Sequence, residues 1–248
     1  MDQNIQRVQL AIKLVTELNR ARIQARLFGG AALAVGRYWD DAFQIPRSVK
    51  DIDVVFPSGA LTKLPIVVSD IGGSINRATV LLNDGRLIRA SFGGLLVDLY
   101  SDPLFLNQTI RLGARLGLNR MSLTVADLLA TKLQINEPTE RDARDIVALL
   151  AVCQFQNFDS CRGINVTRIA QLCSESWTFY CAANKSLSMV KANLYRFDLD
   201  EGQSSTLSEK LTLLQAAIEG SQRSWSWKLR ELVGSRLRMH SDIDTDIL

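Results

Sequence analysis

The sequence predicts an α/β (α+β) protein followed by a C-terminal helical module, on three observations. Short apolar runs with strand-like character recur between residues 25 and 101. Segments with apolar residues three and four apart lie before and after them. From about residue 160 onward the chain reads as helix alone. Two domains are expected, residues 1–155 and residues 156–248.

The first element is an amphipathic helix over residues 4–24. Ile5, Val8, Ile12 and Val15 recur along it, and Ala11, Leu14 and Leu18 widen the stripe. ARLF then reads as a strand running into Gly29–Gly30, and AALAVGRYW as a helix opened by that turn. Residues 39–50, WDDAFQIPRSVK, read as a loop broken at Pro46. DIDVVF is a strand with Asp51, Asp53 and Val55 on one face and Ile52, Val54 and Phe56 on the other. Residues 57–73 hold a Pro/Gly turn and a mixed segment.

From 75 to 101 the pattern is β throughout: INRATVLLN, a hairpin turn at Asp84–Gly85, RLIRASFG and GLLVDLYS. On the last strand Leu96, Asp98 and Tyr100 share a face. TIRLGARLGLNRMSL adds one or two short strands. TVADLLATKLQI is a helix with Thr124 at the N-cap and Asp127 in its first turn. ERDARDIVALLAVCQF is the next helix. Helices fill the remainder, separated by a loop through DEGQSST.

Composition narrows the chemistry. The 248 residues are 47% apolar and 22% charged, which excludes a disordered chain. A net charge of +3 is no argument for nucleic-acid binding by itself. No apolar run approaches the ~20 residues that cross a bilayer, and MDQNIQRVQLAIKL lacks the features of a signal peptide. A cytoplasmic protein without membrane contact is expected. Cys153, Cys161, Cys173 and Cys181 form no C-x-x-C pair and read as buried helical thiols. His240 is the single histidine, so acid–base chemistry falls to carboxylates, lysine or tyrosine.

Three features converge on one chemistry. Gly29–Gly30 opens a helix, where free N–H groups suit an anion and glycine admits phosphate to the backbone. Asp51 and Asp53 share a strand face with Cα atoms ~7 Å apart, a pair of hard ligands for magnesium. Asp98 is a charge inside LLVDLY that needs a partner. If its strand neighbours DIDVVF, three carboxylates meet, as a two-metal nucleotidyl transfer requires. Two other aspartate clusters, Asp198/Asp200 and Asp242/Asp244/Asp246, have no phosphate-binding turn before them and read as solvated.

The run FGGAALAVGRYWDDAFQIPRSVKDIDVVF resembles the first motif of nucleotidyltransferase-fold (polymerase-beta-like) proteins. Arg47 to Asp53, RSVKDID, is similar to the R-x-T-K-D-I-D string of abortive-infection, AbiEii-type, nucleotidyltransferases. It departs at Val49, which offers no hydroxyl where that string often has threonine. LLVDLYSDP resembles the third-carboxylate strand, and SLTVADLLATKLQINEPTERDARDIVALL the downstream pair of helices. The match spans roughly residues 20–150.

The resemblance implies a nucleotidyltransferase-like mixed sheet flanked by helices, with magnesium or manganese and a nucleoside triphosphate such as ATP. It implies metal ligation by Asp51 and Asp53, with Asp98 as third ligand or base. Gly29 and Gly30 would meet phosphate, with Arg47 and Lys50 beside them, and Lys132 would reach the triphosphate or orient the site. The acceptor would be RNA (tRNA) or protein, in a toxin of a toxin–antitoxin or phage-defence system with an antitoxin partner. Blander readings stand beside these. Lys132 can be an exposed helix lysine, and Arg47 and Lys50 loop charges. Asp142 and Asp145 can serve a helix dipole, with Arg141 and Arg144 pairing along the same surface. Trp225 and Trp227 can be core or interface rather than base-stacking groups. The whole chain can be a non-catalytic nucleotide or RNA binder, or an antitoxin-like partner.

Overall fold

The computed structural model describes residues 3–76, 80, 83–160 and 162–234. Cys161, His240 and the 242–246 aspartate cluster lie outside them. The chain divides into two compact units. The first comprises Met1–Arg37, Pro46–Phe105 and Thr109–Leu123, and the second Tyr38–Ile45, Leu106–Gln108 and Thr124–Leu248. The expected boundary at residue 155 therefore falls inside the second unit.

In the first unit, helix α1 (Gln3–Arg20) packs on strands β1 (Arg26–Phe28) and β2 (Ile52–Pro57) and on helices α2 (Gly29–Val35) and α4 (Leu64–Asp70). Ala11, Leu14, Val15 and Leu18 make its buried stripe. Ile5 and Ile12, expected on that stripe, are exposed, because 11, 14, 15 and 18 share a narrower arc at 3.6 residues per turn. Among the described residues the sheet is mixed and has five strands: with β3 at Ser74–Ile75, β4 at Leu87–Phe92 and β5 at Leu95–Asp102, the order is β1-β2-β5-β4-β3. β2 pairs parallel with β5 (Leu95–Asp102), while β1–β2, β4–β5 and β3–β4 are antiparallel. One face is apolar: Ile52, Val97 and Ala90 lie in one row and Val54, Leu99 and Ile88 in another, all buried.

The β segment differs from expectation in one respect. β3 covers only Ser74–Ile75, and Ile75 registers with Ala90 on β4 (Leu87–Phe92), so Asp84–Gly85 turns within a longer connection. The tight hairpin is at Gly93–Gly94, between Phe92 and Leu95. Both glycines have positive φ (57° and 89°), as a two-residue hairpin turn of this hand requires. Downstream, β6 (Leu104–Phe105) and β7 (Thr109–Ile110) form a small ribbon, and Leu27 bridges to Ser122.

The second unit is mainly helical. The predicted loop at 39–50 begins instead with helix α3 (Tyr38–Phe43), which packs on α6 (Glu140–Val152). Helix α5 (Val125–Leu133) starts at Thr124, whose hydroxyl accepts from the Asp127 N–H. α6 starts in a Thr139–Asp142 capping box. A short parallel pair, β8 (Gln154–Gln156) with β9 (Gly163–Asn165), interrupts the expected helical run. Three-residue strands are too short for periodicity to reveal. Helices α7 (Val166–Glu175), α8 (Trp177–Ala192), α9 (Glu201–Glu219) and α10 (Trp225–Val233) follow. Asp200 is not merely solvated: it caps α9, exchanging hydrogen bonds with Gln203. Trp227 is buried edge-on against Tyr180, whereas Trp225 is 83% exposed.

Candidate active site

The candidate site lies on the polar face of the first unit's sheet. β2 begins at Ile52, so the alternation of DIDVVF sends Asp53 to that face and Ile52, Val54 and Phe56 to the buried one. The same alternation on β5 buries Val97 and Leu99 and turns Asp98 the other way. The parallel register sets Asp53 beside Asp98, on strands ~4.8 Å apart. One row of the sheet thus reads Phe28, Asp53, Asp98, Arg89. Asp51 lies two residues before Asp53, exposed at the mouth of β2.

Arg89 completes the row, and no local signal in the sequence marks its role. Its Nε donates to Asp98 Oδ1 at 2.9 Å and its Nη2 to Oδ2 at 3.5 Å, a fork contact on a half-buried carboxylate. The hydrogen bond and charge of Asp98, with Asp51 adding, hold the guanidinium pKa above its ordinary value. The signal in the sequence was the arginine within RLIRASFG, but only the β4–β5 register shows that it faces Asp98. Tyr100 follows on the same face. Burial, then the charges of Asp53 and Asp98, push its hydroxyl well above the usual tyrosine range. Asp51 contributes to that shift as well.

The glycine turn closes over this row. Gly29 has φ +61°, and a methyl at its Cα would overlap the Asp53 carboxylate oxygen. At Gly30 a Cβ would lie 3.3 Å from Arg47 Nη2. Arg47 is 4% exposed, so it is not a solvated loop charge. Its strand-side loop is pinned to α1: Asn4 Nδ2 donates to the Arg47 carbonyl, and the Val49 N–H donates to Asn4 Oδ1 at 2.7 Å. Val49 is buried, in keeping with its lack of a hydroxyl. Lys50 is exposed beside Asp51.

Lys132 belongs to the second unit and is not an exposed helix lysine. Its Nζ donates to Asp142 Oδ1 and lies in ion-pair contact with Asp145 Oδ2, both at 2.9 Å. Asp145 is fully buried and also accepts from Trp39 Nε1 at 2.8 Å. Burial opposes the charge on Lys132, but Asp145 and Asp142 outweigh it and raise its pKa. These three groups tie α5 to α6 and to α3. The readings of Asp142 and Asp145 as dipole partners alone are thereby extended to a buried ion network.

The donor set at 51, 53 and 98 is all carboxylate oxygen, which suits a hard divalent cation. Among the described residues no three His, Cys, Asp or Glu side chains already converge on one ion position. Asp98 is taken up by Arg89. Asp98 registers beside Asp53, and Asp51 lies two residues before Asp53.

No family model matches the chain, and no curated protein matches it. Solved structures similar to it include the following two. One is the solution structure of the antibiotic-resistance factor ANT(2'')-Ia, with 14% identity over 88% of this chain and 93% of that chain, at a TM-score of 0.32. The other is terminal uridylyl transferase 4 from Trypanosoma brucei with bound GTP, with 10% identity over the same shares and a TM-score of 0.31. Among the described residues, no helix is long and apolar enough to cross a membrane.

Proposed function

We propose that the chain is a metal-dependent nucleotidyltransferase, moving a nucleotide from a nucleoside triphosphate to an acceptor hydroxyl. The observation that carries this is the register of Asp53 with Asp98, with Asp51 two residues before and Gly29 packed on Asp53. Asp51 and Asp53 would hold a magnesium or manganese ion, whose chemistry is to neutralise phosphate charge and acidify the attacking hydroxyl. Asp98 would take the hydroxyl proton or complete the ligand set. The N–H groups of Gly29 and Gly30 would meet a phosphate, and exposed Lys50 adds positive charge beside Asp51. Arg47 would support that turn from beneath. By the resemblance Lys132 would orient the site; within the second unit Asp142 and Asp145 engage its ammonium. The motif resemblance extends the reading to an RNA or protein acceptor, a toxin role and an antitoxin partner.

The test is NTP binding by calorimetry, with and without magnesium, followed by label transfer from an α-labelled NTP to an RNA pool. Magnesium-dependent binding is expected, weakened about 100-fold or more by Asp53→Asn. Equal binding without magnesium and in the variant would favour a non-catalytic nucleotide binder. A stable protein complex with no NTP dependence would favour an antitoxin-like partner.

A further inference from the structure

The two compact units carry opposite charge. The first holds fifteen Lys and Arg against eight Asp and Glu, a net of +7, and the second fourteen against eighteen, a net of −4. The chain's +3 conceals this division. Within the first unit, cations gather at the end of α1. Asn19 is the hub. Its Nδ2 donates to the Val15 carbonyl at 2.8 Å and to the Arg120 carbonyl at 3.2 Å, and its Oδ1 accepts from Arg26 Nη1 at 2.7 Å. Lys13, Arg20, Arg22 and Arg120 are all exposed. Lys13 and Arg20 lie seven residues apart, so they share a helix face, ~10 Å apart along the axis. Glu17 is the carboxylate of that face and meets Arg20 Nη1 at 2.6 Å. Lys13, Arg22 and Arg120 have no ion pair among the described residues.

Arg26 lies beneath them, 5% exposed, and pairs with no carboxylate among the described residues. Its Nη1 donates to Asn19 and to the Ala25 carbonyl, while its Nε has no hydrogen-bond partner. Burial lowers its pKa. A buried guanidinium without a counter-ion is costly, and an anion bound beside it offsets that cost.

We infer that this end of the first unit docks the phosphate backbone of a nucleic acid, through Lys13, Arg20, Arg22 and Arg120, with Arg26 beneath. A polymer with a charge every few ångströms meets cations spread over a helix face, and a free phosphate meets only one or two. A membrane surface needs several apolar anchors, whereas the exposed apolar side chain here is Leu118, two residues before Arg120. Such contacts position a strand without reading its bases. Arg26 registers with Val55 and Phe28 with Asp53, so the chain before β1 leads away from Asp51. Docking here requires neither a metal nor a triphosphate.

The experiment is fluorescence anisotropy of a labelled oligouridylate with the full chain, without magnesium or NTP, across a salt series. Four phosphate contacts on a single strand predict a slope of about −3 in log K against log salt. Arg22→Gln/Arg120→Gln is expected to weaken binding at least about tenfold and to flatten the slope by about 1. Lys185→Gln, which removes an exposed cation of the second unit, should leave both unchanged. These side chains are exposed, so circular dichroism should match wild type. Should the double variant misfold, Lys13→Gln with Arg22→Gln takes its place. No binding, a slope unchanged in the double variant, or an equal loss in Lys185→Gln overturns the inference. So does binding to phosphatidylserine vesicles that the oligonucleotide fails to displace. Failure of the transfer reading is seen separately, in the magnesium dependence of NTP binding.

Discussion

At the scale of single residues, the site depends on one backbone position. Gly29 combines a left-handed φ of +61° with the Asp53 carboxylate lying where a side chain would begin. Either feature alone disfavours an L side chain. Gly29→Ala is therefore expected to lose about 1–3 kcal/mol of stability in urea unfolding and to displace Asp53. Metal binding should weaken with it, and an unchanged unfolding midpoint would show that the turn relaxes freely. The glycine pair and both aspartates of β2 were legible in the sequence, because each is a local signal: a turn residue, an alternation. Arg89 was not legible. Its partner lies nine residues away around a hairpin, and nothing in RLIRASFG tells which face carries a carboxylate. The sequence places Arg47 near phosphate as a loop charge, whereas in the fold it is buried and packs against Gly30.

At the scale of elements, caps and ion pairs organise the helices. Thr124 caps α5, Thr139 caps α6 and Asp200 caps α9, each through a side-chain oxygen accepting a first-turn N–H. Lys132 joins α5 to α6 through Asp142 and Asp145. Lys132→Met leaves the fully buried Asp145 without its cation and is expected to cost about 3–5 kcal/mol in chemical denaturation. A loss below about 1 kcal/mol, the range of surface pairs, would contradict that account. The buried end of α6 has a second such contact. Lys210 Nζ donates to the Leu150 and Cys153 carbonyls at 2.8 Å each, meeting the helix's unpaired acceptors. Helix existence was visible in the sequence for α1, α5 and α6, since long periodic segments announce themselves. The short α3 was hidden in WDDAFQ, which has too few residues for a period to emerge.

At the scale of the whole molecule, the ion network makes stability depend on pH. Burial works to raise Asp142, but the charge and hydrogen bond of Lys132, with Thr139, hold its pKa below the usual carboxylate value. A depressed folded pKa contributes stability above the unfolded value of about 3.9, and loses it as pH falls through the folded one. Lys132, raised in the fold, contributes fully below about 10.4 and loses that contribution as pH rises through its folded pKa. Circular dichroism should show stability falling as the medium is acidified below about pH 4, with a shallower fall in Asp142→Asn. Equal acid profiles for the two proteins would remove Asp142 from the explanation. The chain divides into two compact units. That division could not be read from the chain, because α5 and α6 carry motif residues yet bury their apolar faces among the later helices. The sequence by itself determined which residues could share a face: alternation in DIDVVF and LLVDLY committed three aspartates to polar sides of their strands. Only the tertiary structure decided that β5, not a sequence neighbour, lies parallel beside β2, and that Asp53 registers with Asp98 and Asp98 with Arg89. The reason is physical. Period-two patterning sets a strand's faces, but its hydrogen-bonding edges are the same for every strand. Partner and register are chosen by turn geometry and by packing of the opposite, apolar face.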